Sequence, residues 1–390
     1  MQLGHGIQLA YCTNVHRGMT WAETLASLEQ YTLAVRERVA TGRPYAIGLR
    51  LSDQASRELS DSAALVAFQR WLDHHDCYVF TINGFPYGPF HGTAVKEQVY
   101  VPDWTTAERV TYTNRLFELL AQIVPTGMEG SVSTVPGSFK EFIRSADQEE
   151  AMRTNLWRCV EHIVELSDRS GKDLHLGLEP EPLCYLETTA EAVRFFDQLR
   201  ADRPGDPRLD RHLGINYDAC HLAVEFEDAA EGLGRLATAG IRLSKLHLSS
   251  ALKVRAGVAA REALRSCADA TYLHQVVVRQ ADGGLTRYRD LDPALEARPD
   301  ADESEEWRIH FHVPLYSQPT PLFETTADHL LGVLDVLGRD PQRCRHLEME
   351  TYTWEVLPAG LKQRGVVDQL VDEYGWTLER LGERGLTPAR

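Results

Sequence analysis

The sequence predicts an α/β fold, a (β/α)8 or TIM barrel, that forms a single domain over residues 1–390. Short apolar segments with strand character alternate with helical patterns, which is the arrangement that builds a parallel sheet. Eight such strand segments occur, and this number favours a closed barrel over an open sheet. No glycine-rich phosphate loop follows the first segment, as an open nucleotide-binding sheet would require.

The eight predicted strands span residues 6–12, 45–51, 78–84, 129–135, 173–179, 212–218, 243–249 and 346–351. Helices are predicted between them, among others around residues 65–72 and 152–166, through residue 233 and through residue 381. Several helices begin with a capping box, in which a threonine is followed three residues later by a glutamate. The predicted boxes are Thr20 with Glu23, Thr105 with Glu108, and Thr188 with Glu191.

The chain is longer than the roughly 250 residues of a typical barrel, and the largest surplus lies between the seventh and eighth strands. Residues 251–321 therefore form a predicted insertion. Within it, residues 275–291 predict a β-hairpin, because Ala-Asp-Gly-Gly separates two runs of partly alternating character. The acidic segment 301–307 predicts a solvent-exposed stretch. Because the insertion follows a loop at the catalytic face of the barrel, we expect it to act as a partial lid.

The amino-acid composition and net charge argue against some classes of binding partner. The chain has 41 lysine and arginine residues against 57 aspartate and glutamate residues, a net charge of −16 at pH 7, and no long basic run. Nucleic acid is therefore not an expected partner. The N-terminal residues lack the features of a signal peptide, and no segment approaches the roughly 20 apolar residues that span a bilayer. We expect a cytoplasmic protein without membrane insertion, whose seven scattered cysteines are reduced thiols.

Acidic and histidine residues stand at the ends of the late predicted strands, where barrel enzymes carry their reacting groups. Strand alternation turns the glutamates of the fifth and eighth strands toward the barrel interior. The metal-competent residues at these ends are Glu179, Glu181, Asp218, His221, His247, Glu348 and Glu350.

Carboxylates that share a barrel mouth repel one another and are poorly hydrated, so a cation is needed to neutralise them. Glu179, Asp218 and His247 are the strongest candidates as ligands. For Glu181 and Glu348, a structural role as a loop anchor or helix-cap partner is an equal alternative. Three carboxylates with one imidazole suit a divalent metal, Mg²⁺, Mn²⁺, Co²⁺ or Zn²⁺, and the absence of thiolates argues against a purely structural zinc site.

The segments GLEPEP, NYDACH, KLHLS and HLEMETYTW resemble, in order and spacing, the metal-site segments of the xylose-isomerase-like TIM-barrel superfamily. That superfamily includes sugar isomerases, sugar epimerases and endonuclease-IV-type nucleases, and the resemblance covers most of the chain. It implies that Glu179, Asp218, His247 and a glutamate of the eighth strand bind the metal, and that His221 faces the substrate. The eighth strand offers two glutamates, of which Glu350 is preferred because it is nearer the strand end.

Other segments resemble the EboE-type metabolite-traffic proteins, a branch of this superfamily encoded beside a prenyltransferase and a sugar-phosphate cyclase-like protein. They are LAYCTNVH with a following TW, NGFPYGPFHG, YLHQVVVR, HFHVPL and ETYTWEVLP. This resemblance implies a family and, as partners, other proteins of the same pathway. It implies no particular reaction.

Further residues are expected to line the mouth. The loop 83–92 places His91 and several aromatic rings where a polyol could bind. His310 and His312 lie on one face of an extended segment and could reach over the mouth from the insertion, with a second metal as the less favoured interpretation. The predicted substrate-binding residues are His221, His91, Glu181, His312 and Glu348.

The predicted function is that of a metal-dependent isomerase or epimerase that acts on a sugar or cyclitol, free or phosphorylated. Proton abstraction next to a carbonyl would give an enediolate, with Glu179 and Glu350 as the acid-base pair. Metal-dependent cleavage of phosphodiesters is the less favoured enzyme class, because the charge of −16 would repel DNA. A carrier or scaffold that binds metal without catalysis is the alternative outside enzymology.

Overall fold

The computed structural model describes residues 1–89, 95–267, 272–353 and 364–389. The strands of these ranges fall into two sheets. In chain order they are β1 (Gln8–Tyr11), β2 (Tyr45–Arg50), β3 (Cys77–Asn83), β4 (Gly130–Thr134), β5 (Leu174–Leu178), β6 (Leu213–Asp218), β7 (Arg242–Leu248), β8 (Ala251–Arg255), β9 (Val276–Arg279), β10 (Leu285–Tyr288), β11 (Glu306–His312), β12 (Glu324–Thr325) and β13 (His346–Met349).

Eight parallel strands form the barrel in the order β1-β13-β7-β6-β5-β4-β3-β2. A single parallel bridge between Cys12 and Gly48 joins the two ends of this order, where β1 meets β2. All eight strands coincide with the predicted segments to within a few residues. The predicted (β/α)8 barrel is therefore confirmed.

Helices follow the barrel strands and continue in the insertion. They are α1 (Trp21–Ser27), α2 (Leu33–Val39), α3 (Asp53–Leu59), α4 (Ser62–His74), α5 (Ala107–Ile123), α6 (Ala146–Ser170), α7 (Thr189–Asp202), α8 (Arg208–His212), α9 (Ala219–Val224), α10 (Ala229–Thr238), α11 (Val258–Leu264), α12 (Leu291–Ala297), α13 (Ala327–Arg339) and α14 (Val366–Gly382). A π-helical turn, Leu28–Thr32, connects α1 to α2. Across the described ranges, none of the helices combines the length and the apolar character needed to cross a membrane.

Two of the three predicted capping boxes are present. The Thr20 box opens α1 and the Thr188 box opens α7, each with both of its hydrogen bonds. The box predicted at Thr105 is wrong, because α5 begins one residue later with Thr106 as its N-cap. Thr105 instead donates its hydroxyl hydrogen to Asp103, which fixes the turn before the helix.

The interior of the barrel is polar, whereas the layer between strands and helices is apolar. Leu174, Leu176 and Leu178 of β5 are fully buried in the apolar layer. Inside the barrel, Ser131 Oγ lies 2.7 Å from both Thr81 Oγ1 and His346 Nδ1. Hydrogen-bonded polar side chains therefore fill a space that aliphatic residues occupy in many barrels, and charged groups can be buried there with partners.

The chain between β7 and β13 builds a second sheet with the strand order β10-β9-β11-β8-β12, in which every pair is antiparallel. The predicted hairpin is confirmed as β9 and β10. The segment 301–307 is only partly the exposed stretch that was expected. Glu306 and Trp307 begin β11 and are buried, with Trp307 in the apolar core of this sheet. The sheet also reaches beyond residue 321, because β12 pairs with β8. A movement of the insertion as a lid stays a prediction.

Gly48 stands where the barrel closes, and a methyl group added there would overlap Oε1 of Glu348 and lie 2.7 Å from the carbonyl oxygen of Tyr11. Overpacking of this kind typically costs about 1–3 kcal/mol. We therefore expect Gly48→Ala to lower the free energy of unfolding by that amount in chemical denaturation. The matched control is Gly234→Ala in α10, where the added methyl group meets no atom within 4 Å. This control should gain about 0.5–1 kcal/mol of stability. An unchanged stability of Gly48→Ala would contradict the assigned closure of the barrel.

Candidate metal centre

Four buried side chains from neighbouring strands meet at the C-terminal end of the barrel. Glu179 follows β5, Asp218 ends β6, His247 lies in β7 and Glu350 follows β13. These four strands are adjacent in the order β13-β7-β6-β5. One potential ligand atom of each side chain lies within 4.8 Å of those of the other three. The structure therefore brings together the four residues that were predicted to bind the metal.

The imidazole of His247 lies at the centre of this cluster. Its Nδ1 is 3.0 Å from Oε1 of Glu179, 3.3 Å from Oδ2 of Asp218 and 2.8 Å from Oε2 of Glu350. Burial lowers the pKa of His247, but the negative charges of Glu350 and Glu179 outweigh burial and raise its pKa well above the ordinary value. Positive charge at Nδ1, between the three carboxylates, is therefore stabilised by their negative charges.

The second nitrogen of this ring is held from inside the barrel. Nε2 of His247 is 3.0 Å from Oε2 of Glu348, and Nζ of Lys245 is 2.6 Å from the same oxygen. Lys245 also donates to Oγ of Ser133 at 2.9 Å. Burial raises the pKa of Glu348, but the charge of Lys245 reverses this effect and brings its pKa to about 2. Glu348 is therefore an ionised carboxylate that orients His247.

This position corrects one prediction. Glu348 was predicted to contact the substrate and was the alternative to Glu350 as the eighth-strand ligand. Its carboxylate is fully buried against Lys245 and His247, and it does not line the cavity above the cluster. The preference for Glu350 agrees with this geometry, because only Glu350 reaches the cluster at the mouth.

Two carboxylate oxygens in the cluster are buried without a hydrogen bond from any described residue. They are Oε2 of Glu179 and Oδ2 of Asp218. The other oxygen of Asp218, Oδ1, accepts hydrogen bonds from Ser249 Oγ at 2.7 Å and from the backbone nitrogen of His221 at 3.0 Å. Buried carboxylate oxygens without donors are costly, and a cation is the partner that this arrangement fits.

Glu350 is positioned by two amides, one from the turn after β1 and one from the end of β3. Nδ2 of Asn14 donates to its Oε1 at 2.7 Å, and Nδ2 of Asn83 lies 3.4 Å from the same atom. Burial raises the pKa of Glu350 to about 7, with the charge of His247 opposing and that of Glu179 reinforcing the shift. Asn83 was not singled out, although it ends the third strand, which is the same signal that identified the other residues.

A cavity of about 50 Å³ lies directly above the cluster. Glu179 and Glu350 form the floor of this cavity. Residues from the loops and from the insertion line the rest of it. Its remaining lining residues are Asn14, Phe85, Pro86, Val95, Lys96, Val99, Tyr100, Glu181, His221, Tyr272, Leu273, His310 and Tyr352. The cavity thus joins carboxylates, imidazoles and aromatic rings. His91 lies outside the described residues.

Glu181 is held at the wall of the cavity by the insertion and by the loop before α5. It accepts a hydrogen bond from the hydroxyl of Tyr100, which in turn accepts one from Nε2 of Gln275 at 2.9 Å. Burial raises the pKa of Glu181 to about 7. Sequence reasoning missed Tyr100 and Gln275, because neither follows a barrel strand.

The insertion also brings two histidines to the mouth. His310 and His312 of β11 are buried beside His221 of α9, with ring centroids 4.5 Å and 5.5 Å from that of His221. Burial lowers the pKa of His310 well below the ordinary value and that of His312 to about 4. The insertion thus carries both rings to His221, and their contact with a substrate stays a prediction.

Several solved structures have a similar fold, and their similarity covers nearly the whole chain. The chain superposes on an L-ribulose 3-epimerase with a TM-score of 0.52 and 12% identity, covering 99% of this chain and 96% of the other. For a D-tagatose 3-epimerase-like protein the TM-score is 0.50 and the sequence identity is 13%, and the match covers 97% of this chain and 100% of the other. For a xylose isomerase-like TIM barrel protein from Mycobacterium smegmatis in complex with magnesium, the TM-score is 0.52 and the sequence identity is 14%. The match covers 98% of this chain and 99% of the other.

The chain shares the TIM-barrel fold of these proteins. At 12–14% identity the similarity shows the fold alone. No protein-family model matches the sequence, and no curated protein sequence matches it either. The predicted resemblance to the xylose-isomerase-like superfamily is thus confirmed for the fold, while the resemblance to EboE-type proteins stays a prediction.

The pair of Lys245 and Glu348 gives a test of the charge arrangement inside the barrel. Lys245→Met leaves the carboxylate of Glu348 buried without its main cation, which typically costs about 3–5 kcal/mol. Because the pKa of Glu348 is lowered to about 2, the stability from this pair is fully present above the ordinary glutamate pKa of about 4.3 and is lost as the pH falls from there through about 2.

The destabilisation of Lys245→Met, measured by urea denaturation, should therefore be large at pH 7 and smaller at pH 4, where the carboxyl of the variant is protonated. Gly234→Ala serves again as a control whose effect does not depend on pH. An equal loss at both pH values would contradict the assigned ion pair.

Proposed function

We propose that this protein is a metal-dependent isomerase or epimerase of a sugar or cyclitol, free or phosphorylated, that works through an enediolate. The observation that carries the proposal is the placement of Glu179 and Glu350. Both carboxylates belong to the cluster of potential metal ligands, and both line the cavity above it. Each carboxylate has two oxygens, so it can contact a cation with one and exchange a proton with the other.

A divalent cation, Mg²⁺, Mn²⁺, Co²⁺ or Zn²⁺, would be held by Glu179, Asp218, His247 and Glu350. Three carboxylates with one imidazole suit these ions. Histidines that bind metals usually donate their other ring nitrogen to a carboxylate, and His247 has Glu348 in this position at 3.0 Å. The buried oxygens of Glu179 and Asp218 that lack hydrogen bonds support the same set.

A bound cation would polarise the carbonyl oxygen of the substrate and stabilise the negative charge of the enediolate. Glu179 and Glu350 act as base and acid on the carbon next to that carbonyl: one removes the proton and the other returns it. Asn14 fixes Glu350 through its hydrogen bond to Oε1. Proton transfer between two positioned carboxylates can interconvert epimers or move a carbonyl group along a chain.

The cavity and the structural neighbours support a sugar as the substrate class. Polar and aromatic side chains line the cavity together, as in many small-molecule sites. Two of the similar structures are an L-ribulose 3-epimerase and a D-tagatose 3-epimerase-like protein. Within this proposal Glu181, His221, His312 and His91 contact the substrate. The EboE-type resemblance adds that other proteins of one pathway supply the substrate or receive the product.

The first test concerns the metal. Asp218→Ala and His247→Ala each remove a ligand, so we expect the metal content of the purified protein to fall by at least tenfold while the circular dichroism spectrum stays that of a folded barrel. Glu373→Gln is the matched control, because Glu373 is a buried carboxyl group outside the cluster. Metal occupancy equal to that of the wild type in both alanine variants would rule out the proposed ligands.

The second test concerns the reaction. Wild-type protein supplied with metal and a panel of keto-sugars and cyclitol ketones in D₂O should incorporate deuterium at the carbon next to the carbonyl, as observed by NMR. Glu350→Gln cannot accept a proton at neutral pH, so its turnover should fall by roughly 10² to 10⁴, whereas Glu373→Gln keeps its activity. Tight binding of one such compound without exchange or turnover would favour a metal-bearing carrier over an isomerase.

A further inference from the structure

A second group of possible metal ligands lies at the opposite end of the barrel from the carboxylate cluster. His175 is the second residue of β5, His346 is the first residue of β13, and Glu129 directly precedes β4. One potential ligand atom of each side chain lies within 4.8 Å of those of the other two. Both histidines are only 1% exposed, whereas Glu129 is partly exposed. The group therefore contacts solvent through Glu129, at the N-terminal face of the barrel.

Strand alternation directs these two histidines inward, as it does the glutamates at the mouth. His175 stands four residues before Glu179, and His346 stands four residues before Glu350, so each pair shares one face of its strand. Four residues of a strand span about 13 Å, at about 3.3 Å per residue. The two groups share no residue. They are therefore separate from each other.

Each of the two histidines has one ring nitrogen with a hydrogen bond and one without. Nδ1 of His346 is 2.7 Å from Oγ of Ser131, and Nδ1 of His175 contacts Oγ of Ser244. Nε2 of both rings is buried without a hydrogen bond from any described residue. A buried polar nitrogen without a partner costs free energy, and one cation that binds both nitrogens would remove this cost.

Burial keeps both imidazoles neutral. It lowers the pKa of His175 well below the ordinary value, and the charge of Arg242 lowers it further. Burial also lowers the pKa of His346 well below the ordinary value. A serine hydroxyl can accept a hydrogen bond, so Nδ1 of each ring can carry the hydrogen and leave the lone pair of Nε2 for a cation. Histidines that bind metals are commonly held through their other nitrogen in this way.

The distances within the group fit a small divalent cation. Nε2 of His175 is 3.5 Å from Oε2 of Glu129. Two ligands bound about 2.1 Å from a tetrahedral zinc ion are about 3.4 Å apart. The ring centroids of His175 and His346 are 5.3 Å apart, and their planes are inclined by 35°. Both imidazoles therefore adjoin the same small space beside Glu129.

Arginine side chains hold Glu129 in place. Arg242 donates to Oε2 of Glu129 and is shared with Asp173, whose Oδ2 is 3.3 Å from Nη2 of Arg242. Arg345 lies 3.6 Å from the other oxygen of Glu129. Carboxylates that bind metals are generally hydrogen-bonded in turn. The arginines thus orient Glu129, but their charge opposes a cation, so its affinity has to come mainly from the two imidazoles.

We propose that Glu129, His175 and His346 bind Zn²⁺, with water as a further ligand, at the N-terminal end of the barrel. Imidazole ligands suit Zn²⁺, whereas Mg²⁺ prefers oxygen ligands. The ion connects β4 and β5 with β13, which is three positions from β5 in the strand order. Its role is to stabilise this end of the barrel, and it does not depend on the reaction proposed for the mouth.

The first test measures zinc per chain. Protein freed of metal with a chelator is equilibrated with Zn²⁺ by dialysis and analysed by elemental mass spectrometry. We expect His346→Gln to bind one zinc ion fewer than the wild type. The matched control is His212→Gln, because His212 is a buried histidine before β6, at the same end of the barrel, and lies outside the group. This control should bind as much zinc as the wild type. Equal zinc in the wild type and in a folded His346→Gln variant would overturn the site.

The second test measures thermal unfolding and separates this site from the mouth. Asp218→Ala removes a ligand of the carboxylate cluster only. Zinc at a hundredfold excess over Kd should raise the Tm of this variant by about 3 °C, because the ion binds the folded chain alone. Adding Glu129→Gln, at a partly exposed residue, should abolish the shift even if His346→Gln does not fold. A Tm of Asp218→Ala that zinc does not change would overturn the site, whereas a shift in a variant without metal at the mouth supports it.

Discussion

The buried imidazole of His247 connects two groups of charges, and the arrangement of the site depends on it. On one side it meets the carboxylates of Glu179, Asp218 and Glu350, and on the other it meets Glu348, which is paired with Lys245. Carboxylates at this depth need positive charge, because burial otherwise favours their neutral form. Lys245 supplies it inside the barrel. At the mouth, a proton on His247 or a bound cation has to supply it.

The closure of the barrel and the placement of these charges are linked through Gly48. This residue forms the only backbone bridge described between β1 and β2, and the carboxylate of Glu348 occupies the space that a side chain at this position would fill. Small polar residues such as Ser131 and Ser133 leave room for His346 and Lys245 in the interior. The polar interior is thus the support on which His247 is oriented.

The sequence predicts most of this fold, because strand and helix periodicities repeat along the chain, and the ends of the last four barrel strands identify candidate site residues. Glu179, Asp218, His247 and Glu350 follow from that rule. The role of Glu348 does not follow from the sequence, because alternation turns both Glu348 and Glu350 inward. Only the register between β13 and β7 places Glu348 beside Lys245. Gln275 could not be assigned for a related reason: its contacts depend on how the insertion sheet packs on the mouth. Trp307 was hidden within an acidic segment whose composition suggested exposure.

The histidines of the insertion show how an element outside the barrel can complete a site at its mouth. β11 extends from an apolar core of its own, which includes Trp307, to His312 beside the backbone of Glu350. Its position therefore depends on both sheets. The carboxylate cluster is the proposed site of a divalent cation. Anomalous diffraction from crystals grown with Mn²⁺ tests it most directly. We expect a manganese peak bounded by Glu179, Asp218, His247 and Glu350, whereas crystals with no peak among these four side chains would contradict a metal at this site.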